Sequence, residues 1–280
     1  MTFSIVARSA PDGPDGRESW GVAVASKFLA VGAAVPAAAA GVGAIATQAY
    51  ANTSYKRRGL AALADGLTAE QVVRHLLDAD DGRGDRQVGV VGAHGEGATF
   101  TGSACYPWAG GRAGAGYAIQ GNILTGPDVV DAMEAAWLRS DESAPLAARL
   151  LAALGAGVAA GGDSRGRQSA ALFVVAAGAG YGGFDDVAVD LRVDDHSQPV
   201  VELARLLDLN DLYLTASTDD ERVVVTPELR DELEKRALAL GHRDFTAWVG
   251  SENYEMRVDD DLAWIDVRVL DIIRGTHPQR

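Results

Sequence analysis

The sequence predicts an α+β fold over residues 1–212, with two antiparallel sheets sandwiched between helical layers, followed by a small helical domain over 213–280. Three observations predict it. Short runs rich in Val, Ile and small residues succeed one another across turn chemistry, which suits antiparallel neighbours that need no crossover helix. The overall order is strands, helices, strands, helix, a segregation that disfavours a doubly wound parallel sheet. From Tyr213 onward the composition turns charged and amphipathic, placing a boundary near 212–224.

Each element follows from local chemistry. Phe3–Arg8 alternates and leads into Pro11-Asp-Gly-Pro-Asp-Gly, so it reads as a strand followed by a loop. Trp20–Val35 and Gly41–Gln48 read as central strands buried on both faces, separated by Pro36 and an Ala-rich connector. Thr68-Ala-Glu-Gln71 is a capping box that opens a helix with Val72, Val73, Leu76 and Leu77 on one face, closed at Asp80-Asp-Gly. Strands follow at Gln87–Ala93, Ala98–Ser103 and Tyr117–Asn122, with a Gly-rich reversal at Ala109–Gly116. Pro127 starts a helix carrying Val130, Met133 and Trp137, and Leu146–Val158 forms another through Leu150, Leu151 and Leu154. Strands at Ser169–Ala176 and Asp186–Val193 and a helix at Val200–Leu207 complete the large domain. In the tail, Thr226 is an N-cap, Pro227 the first helical residue, Leu229, Leu233 and Leu240 share a face, and Gly241 ends the helix.

Composition removes several function classes. A net charge of -14 opposes a nucleic-acid partner, because phosphate binding needs clustered Lys and Arg. With Cys105 as the single cysteine there is no internal disulfide and no cysteine-based zinc site, and a reducing compartment fits. The start has no basic region leading into an apolar core, and Lys27 and Pro36 interrupt the most apolar later stretch, so the expectation is a cytoplasmic protein with no membrane segment. Gly-x-Ser-x-Gly, a Walker A loop and His-Glu-x-x-His are absent. Gly92-Ala-His-Gly-Glu-Gly97 joins two strands, which fits a hairpin turn and not a dinucleotide loop.

Thr2 is the informative start. A small second residue generally allows removal of the initiator Met, and a chain beginning at Thr2 would carry a hydroxyl and a free α-amine on one residue. With a reference pKa of about 7.7–8.0, that amine can take the hydroxyl proton near neutral pH without any histidine. Taken by position alone, Met-Thr is equally an ordinary N-terminus.

Six blocks carry a resemblance: Met1-Thr-Phe-Ser-Ile-Val-Ala-Arg, Trp20-Gly-Val-Ala-Val-Ala-Ser-Lys-Phe-Leu-Ala-Val-Gly, Ala46-Thr-Gln-Ala-Tyr-Ala-Asn, Tyr117-Ala-Ile-Gln-Gly-Asn, Gly161-Gly-Asp-Ser-Arg-Gly-Arg-Gln-Ser-Ala-Ala-Leu and Val189-Asp-Leu-Arg-Val-Asp-Asp-His. Together, in order over about 1–210, they resemble the DUF1028 family, among the N-terminal nucleophile (Ntn) hydrolase-like proteins. The resemblance implies a four-layer αββα sandwich with Thr2 at a strand end facing a cleft between the sheets. It implies amide hydrolysis through an acyl-enzyme, with oxyanion donors and a group that tunes the amine beside the nucleophile. Trp248-Val-Gly-Ser-Glu-Asn-Tyr-Glu-Met-Arg and Ile265-Asp-Val-Arg-Val-Leu in the tail resemble a peptidoglycan-binding-like domain attached to some members, which would equally serve as a dimerisation or lid module.

The candidates then sort by role. Lys27, read as lying inside a strand, either holds the nucleophile's oxygen or reaches water at the strand end. Asn122 offers an amide donor to an oxyanion, or is a turn residue. Asp163 and Ser169 would orient the Thr2 amine, and Arg165, Arg167 and Gln168 would bind substrate, a carboxylate pairing with Arg; the alternative is a helix-capping and strand-entry loop. Gln48, Asn52 and Gln120 complete the expected pocket. Asp194-Asp195-His196 more often ends a strand than binds metal, so no metal and no cofactor is expected. Cys105 is the rival nucleophile; His75 and His94 have no visible partner. The expected activity is hydrolysis of a small amide or lactam by a homo-oligomer. The alternative is a non-catalytic protein that binds a ligand or glycopeptide on the same scaffold.

Overall fold

The computed structural model describes residues 2–9 and 16–276. The loop predicted at Pro11–Gly16 therefore lies, apart from Gly16, outside the described residues, as does Met1. The chain divides into two compact units, Met1–Leu207 and Asp208–Arg280.

The first unit is a mixed α and β structure whose strand pairings are all antiparallel. Its elements are β1 (Thr2–Arg8), β2 (Ser19–Ser26), α1 (Val31–Ala34), β3 (Pro36–Ala39), β4 (Gly43–Ala49), α2 (Ser54–Ala64), α3 (Ala69–Asp78), β5 (Arg86–Gly92), β6 (Gly97–Thr101), β7 (Gly110–Gly114), β8 (Tyr117–Asn122), α4 (Asp128–Arg139), α5 (Leu146–Ala159), β9 (Ser169–Ala176) and β10 (Val187–Val193). The helix α6 (Pro199–Leu214) runs across the boundary between the units. Six strands form one sheet in the order β10-β9-β2-β1-β8-β7, and four form another in the order β3-β4-β5-β6.

Strand alternation sorts the apolar residues into three clusters. Phe3, Ile5 and Ala7 on β1, with Ala23 and Ala25 on β2, pack under Val130, Met133 and Trp137 of α4 and Leu150 and Leu154 of α5. The opposite face of the same strands, Val6, Val22 and Val24, meets Ala44 and Ala46 of β4 and Val91 of β5. The outer face of the second sheet, Ile45, Val88 and Val90, is covered by Tyr55 and Leu63 of α2 and Val72, Val73 and Leu76 of α3. Each fully buried Leu, Ile or Val removes enough apolar surface from water to contribute about 1.5–3 kcal/mol. The Thr68 capping box forms as predicted: its hydroxyl accepts the Gln71 N–H, and Gln71 Oε1 accepts the Thr68 N–H.

The structure departs from the sequence reading around residues 26–64. The predicted strand Trp20–Val35 ends at Ser26, then turns into α1, and the Ala-rich connector at Pro36 is itself the edge strand β3. Helix α2 has no counterpart in the sequence reading. Its N-cap Thr53 makes no side-chain cap bond and Gly59 sits inside it, so both usual signals of a helix are weak. Gly59 lets α2 approach the sheet closely, since a Cβ there would lie 2.6 Å from Ile45 Cδ1 and the isoleucine would have to shift. The reversal at Ala109–Gly116 contains strand β7.

The second unit holds β11 (Arg222–Val224), α7 (Pro227–Ala239), α8 (Phe245–Glu252), β12 (Trp264–Asp266) and α9 (Val267–Arg274). Phe245 and Trp248 stack with centroids 5.5 Å apart, and they share a core with Leu233, Ile265, Val269 and Ile273. Thr226 caps α7 as predicted, whereas Leu240 is the C-cap and is exposed, so it does not join Leu233 in that core. Among the described residues, no helix is long and apolar enough to cross a membrane.

Candidate functional site

The apolar layer between the two sheets gives way at one end to a buried polar cluster. Alternation on five strands produces it: Thr2 and Ser4 on β1, Ser26 on β2, Gln48 on β4, Gln87 on β5, and Gln120 and Asn122 on β8 all point between the sheets and are all buried. Register brings them opposite one another, with Thr2 facing Asn122, Ser4 facing Gln120, and Gln48 facing Gln87.

These groups close a hydrogen-bond network. Gln120 Nε2 donates to Ser4 Oγ at 2.6 Å, and Ser4 Oγ donates to Gln48 Oε1 at 2.7 Å. Gln48 Nε2 donates to Gln87 Oε1 at 2.8 Å and to the Thr2 carbonyl at 3.1 Å. Asn122 Nδ2 donates to Gln87 Oε1 at 2.9 Å and more weakly to the Thr2 carbonyl at 3.4 Å. Gln87 Nε2 in turn donates to Thr101 Oγ1 and the Gly121 carbonyl, and Thr99 Oγ1 donates to Gln120 Oε1. Buried amides without partners would be costly, whereas a fully connected set fixes each orientation. The result is a rigid seat under Thr2. Its hydroxyl shares a 3.1 Å hydrogen bond with Ser26 Oγ.

Backbone outliers flank this seat. Ala49 follows Gln48 with φ 65° and Ile123 follows Asn122 with φ 51°, a left-handed conformation that is unusual for a β-branched residue. Such residues cost about 1–3 kcal/mol and persist where the surroundings over-determine them. Here Ile123 is pinned by its N–H to the Tyr106 carbonyl and by its carbonyl to the Ser164 N–H.

The loop at 161–169 lies beside the same strand ends. The buried Asp163 carboxylate accepts the Lys27 N–H at 2.8 Å and the Arg165 N–H at 2.9 Å, with the Arg165 guanidinium at 3.4 Å, while its backbone bridges to Leu124. Asp163 thereby ties the ends of β2 and β8 together. Ser169 sits across from Ser26 in register, but its hydroxyl holds the 28–31 turn, bonding the Phe28 carbonyl and the Val31 N–H. Gln168 donates its N–H to the Ser26 carbonyl and its side chain to Asp195. Ser26, Asp163 and Arg167 line a cavity of about 300 Å³ whose apolar wall includes Phe3, Ala25 and Val158.

The predicted residues thus fall into two adjoining groups. Thr2, Gln48, Gln120 and Asn122 meet in the network; Asp163, Arg167 and Ser26 meet at the cavity. Lys27 is corrected: it follows β2 and is exposed, contributing its backbone N–H to Asp163 and no buried ammonium. Asn52 is corrected as well. Its side chain donates to Asp80 Oδ2 at 2.9 Å in a cluster with Tyr55 and Arg86 that ties α2 to the chain after α3, so its amide is committed there. Gln87, Ser4 and Ser26 were missed. Each is a polar residue at an inward position of an otherwise apolar strand, Ser4 two residues from Thr2, a period-two signal that sequence can offer. Cys105 is a weak rival: burial pushes its thiol up, and Sγ is bonded to the Arg86 carbonyl, so little thiolate forms near neutral pH.

Comparison with known proteins agrees with this geometry at the level of family. Residues 2–203 match the family described as "Family of unknown function (DUF1028)". The crystal structure of protein SPO2555 from Silicibacter pomeroyi, of the same family, is similar with a TM-score of 0.66 and 31% identity, over 78% of this chain and 90% of that one. No curated protein matches. The match over most of the first unit, with a solved relative of the same architecture, makes the chain a member of the DUF1028 family.

Proposed function

We propose that the first unit is a four-layer αββα sandwich of the Ntn type and that Thr2, once Met1 is removed, is the nucleophile of an amidohydrolase acting on a small amide or lactam. One observation carries the reading: Thr2 opens a strand with its hydroxyl directed into the polar end of the inter-sheet layer, 3.1 Å from Ser26 Oγ, while its carbonyl accepts from the buried amides of Gln48 and Asn122. A purely structural strand end does not require so dense a buried polar set.

The chemistry follows from the residue itself. The free α-amine of Thr2 takes the hydroxyl proton, Oγ1 bonds to the substrate carbonyl carbon, and the carbonyl π electrons move onto oxygen. Collapse breaks the C–N bond, the amine leaves with the proton, and water then cleaves the ester and restores the hydroxyl. Gln48 and Asn122 hold the Thr2 backbone in register for this. Asn122, the residue opposite Thr2 in the β1–β8 register, is the amide donor assigned to the oxyanion; loss of such a donor costs about 10²–10³ in rate.

The test compares amide hydrolysis by the native chain, Thr2→Ala and Thr2→Ser. Thr2→Ala is expected to lose turnover with an unchanged melting temperature, while Thr2→Ser, which keeps a hydroxyl and an amine, retains part of it. Undiminished turnover by Thr2→Ala would move the nucleophile elsewhere.

A further inference from the structure

The cavity beside Ser26 separates into two chemistries. Its floor is apolar, built from Phe3, Ala25, Val158 and Val200, and its volume of about 300 Å³ falls at the small end of ligand-binding cavities. At its rim stand two arginines with different commitments. Arg165 is paired with the Asp163 carboxylate, whose oxygens also accept two backbone N–H groups, so that charge is locally balanced. Arg167 lines the cavity and is bonded to the neutral amide oxygen of Gln198 at 3.3 Å; among the described residues no carboxylate pairs with it. In a chain of net charge -14, a cation without a carboxylate partner beside an apolar cavity stands against the prevailing field. An anionic group on the ligand would complete it through a two-pronged contact.

We infer that the cavity binds a small amide that carries both a compact aliphatic group and a carboxylate, of the N-acyl amino acid class, with the aliphatic group on Phe3 and Val158 and the carboxylate on Arg167. Ser26 borders both groups: it lines the cavity, to which Phe3 and Ala25 contribute from the helix-covered face of the sheet, and its hydroxyl lies 3.1 Å from Thr2 Oγ1 on the inter-sheet face. The fate of the bound amide rests on the Thr2 reading; its binding does not.

Calorimetric titration of the full chain with N-acetyl-leucine, N-acetyl-leucinamide and inorganic phosphate tests this. The acid is expected to bind about tenfold more tightly than the amide, the worth of one charge-assisted contact, and Arg167→Gln to erase that preference. Val200→Trp, which fills the cavity, should abolish binding of both; Arg167 is exposed, so its replacement tests the idea even where the tryptophan disturbs folding. Equal affinity for acid and amide, phosphate binding as tightly as the acid, or no binding of the acid would each overturn the inference. Repeating the titration on Thr2→Ala separates the two readings: binding that survives there while turnover was never seen sinks the Thr2 reading alone, and turnover of other amides without acid preference sinks this one alone.

Discussion

At the scale of single residues, Gln87 joins the network most heavily. Its Oε1 accepts from Gln48 and Asn122 and its Nε2 reaches Thr101 Oγ1 and the Gly121 carbonyl. Gln87→Ala strands several of these groups, and because each buried unsatisfied group costs about 1–3 kcal/mol, urea unfolding should show a loss of at least about 2 kcal/mol. Asp80 makes a pH-dependent contribution. The Arg86 guanidinium, then the Asn52 amide, hold its carboxyl well below the usual carboxylate range. A depressed folded-state pKa gives stability that is complete above the unfolded value of about 3.9 and lost as pH falls through the folded value. The stability gap between the native chain and Asp80→Asn, measured by urea unfolding, should therefore be largest near pH 7 and shrink below about pH 4. A constant gap across that range would show that Asp80 acts only through its shape.

At the scale of elements, the site exists because β5 and β8 approach across the layer. Gly89 on β5 permits it: a Cβ there would lie 2.0 Å from Gln120 Oε1, an atom fixed by Thr99 and unable to swing away freely. Gly89→Ala should cost about 1–3 kcal/mol in urea unfolding, as overpacking does, and should lower the reactivity of Thr2 by disturbing the amide beneath it. Unchanged stability would mean that Gln120 has a second resting place. The strands β8 and β9 and the capped helix α3 were legible because alternation, a capping box and turn residues agree locally. Helix α2 was not, because its stability comes from packing Tyr55 and Leu63 on the second sheet and not from its caps. Thr2, Gln48, Gln120 and Asn122 were legible through the resemblance they carry. Gln87 and Ser26 look like isolated polar residues until strand pairing sets Ser26 beside Thr2 and the stacking of two sheets sets Gln87 beside Asn122. Asn52 and Lys27 depart for another reason: the strand read as containing Lys27 ends at Ser26, which leaves the alternative of a lysine reaching water, and Asn52, read as a pocket wall, commits its amide to Asp80.

At the scale of the whole molecule, the first unit concentrates its unusual chemistry at one strand end, while the second has a different kind of buried polarity. There Arg257, 1% exposed, pairs with Asp266, Glu221 and Asp211 and donates to the Leu212 carbonyl, a set that ties the end of α6 to β12. Removing one partner of such a group is costlier than replacing all of them with apolar side chains. In the first unit, the reactivity of the first strand's Thr2 decides between an enzyme and a binding protein. Intact mass with N-terminal sequencing of untagged protein, before and after treatment with a β-lactone, tests it most directly. A chain beginning at Thr2 and carrying a single adduct on that residue is expected. A retained Met1, or a free Thr2 that takes no adduct, would contradict it and leave a ligand-binding protein on the same scaffold.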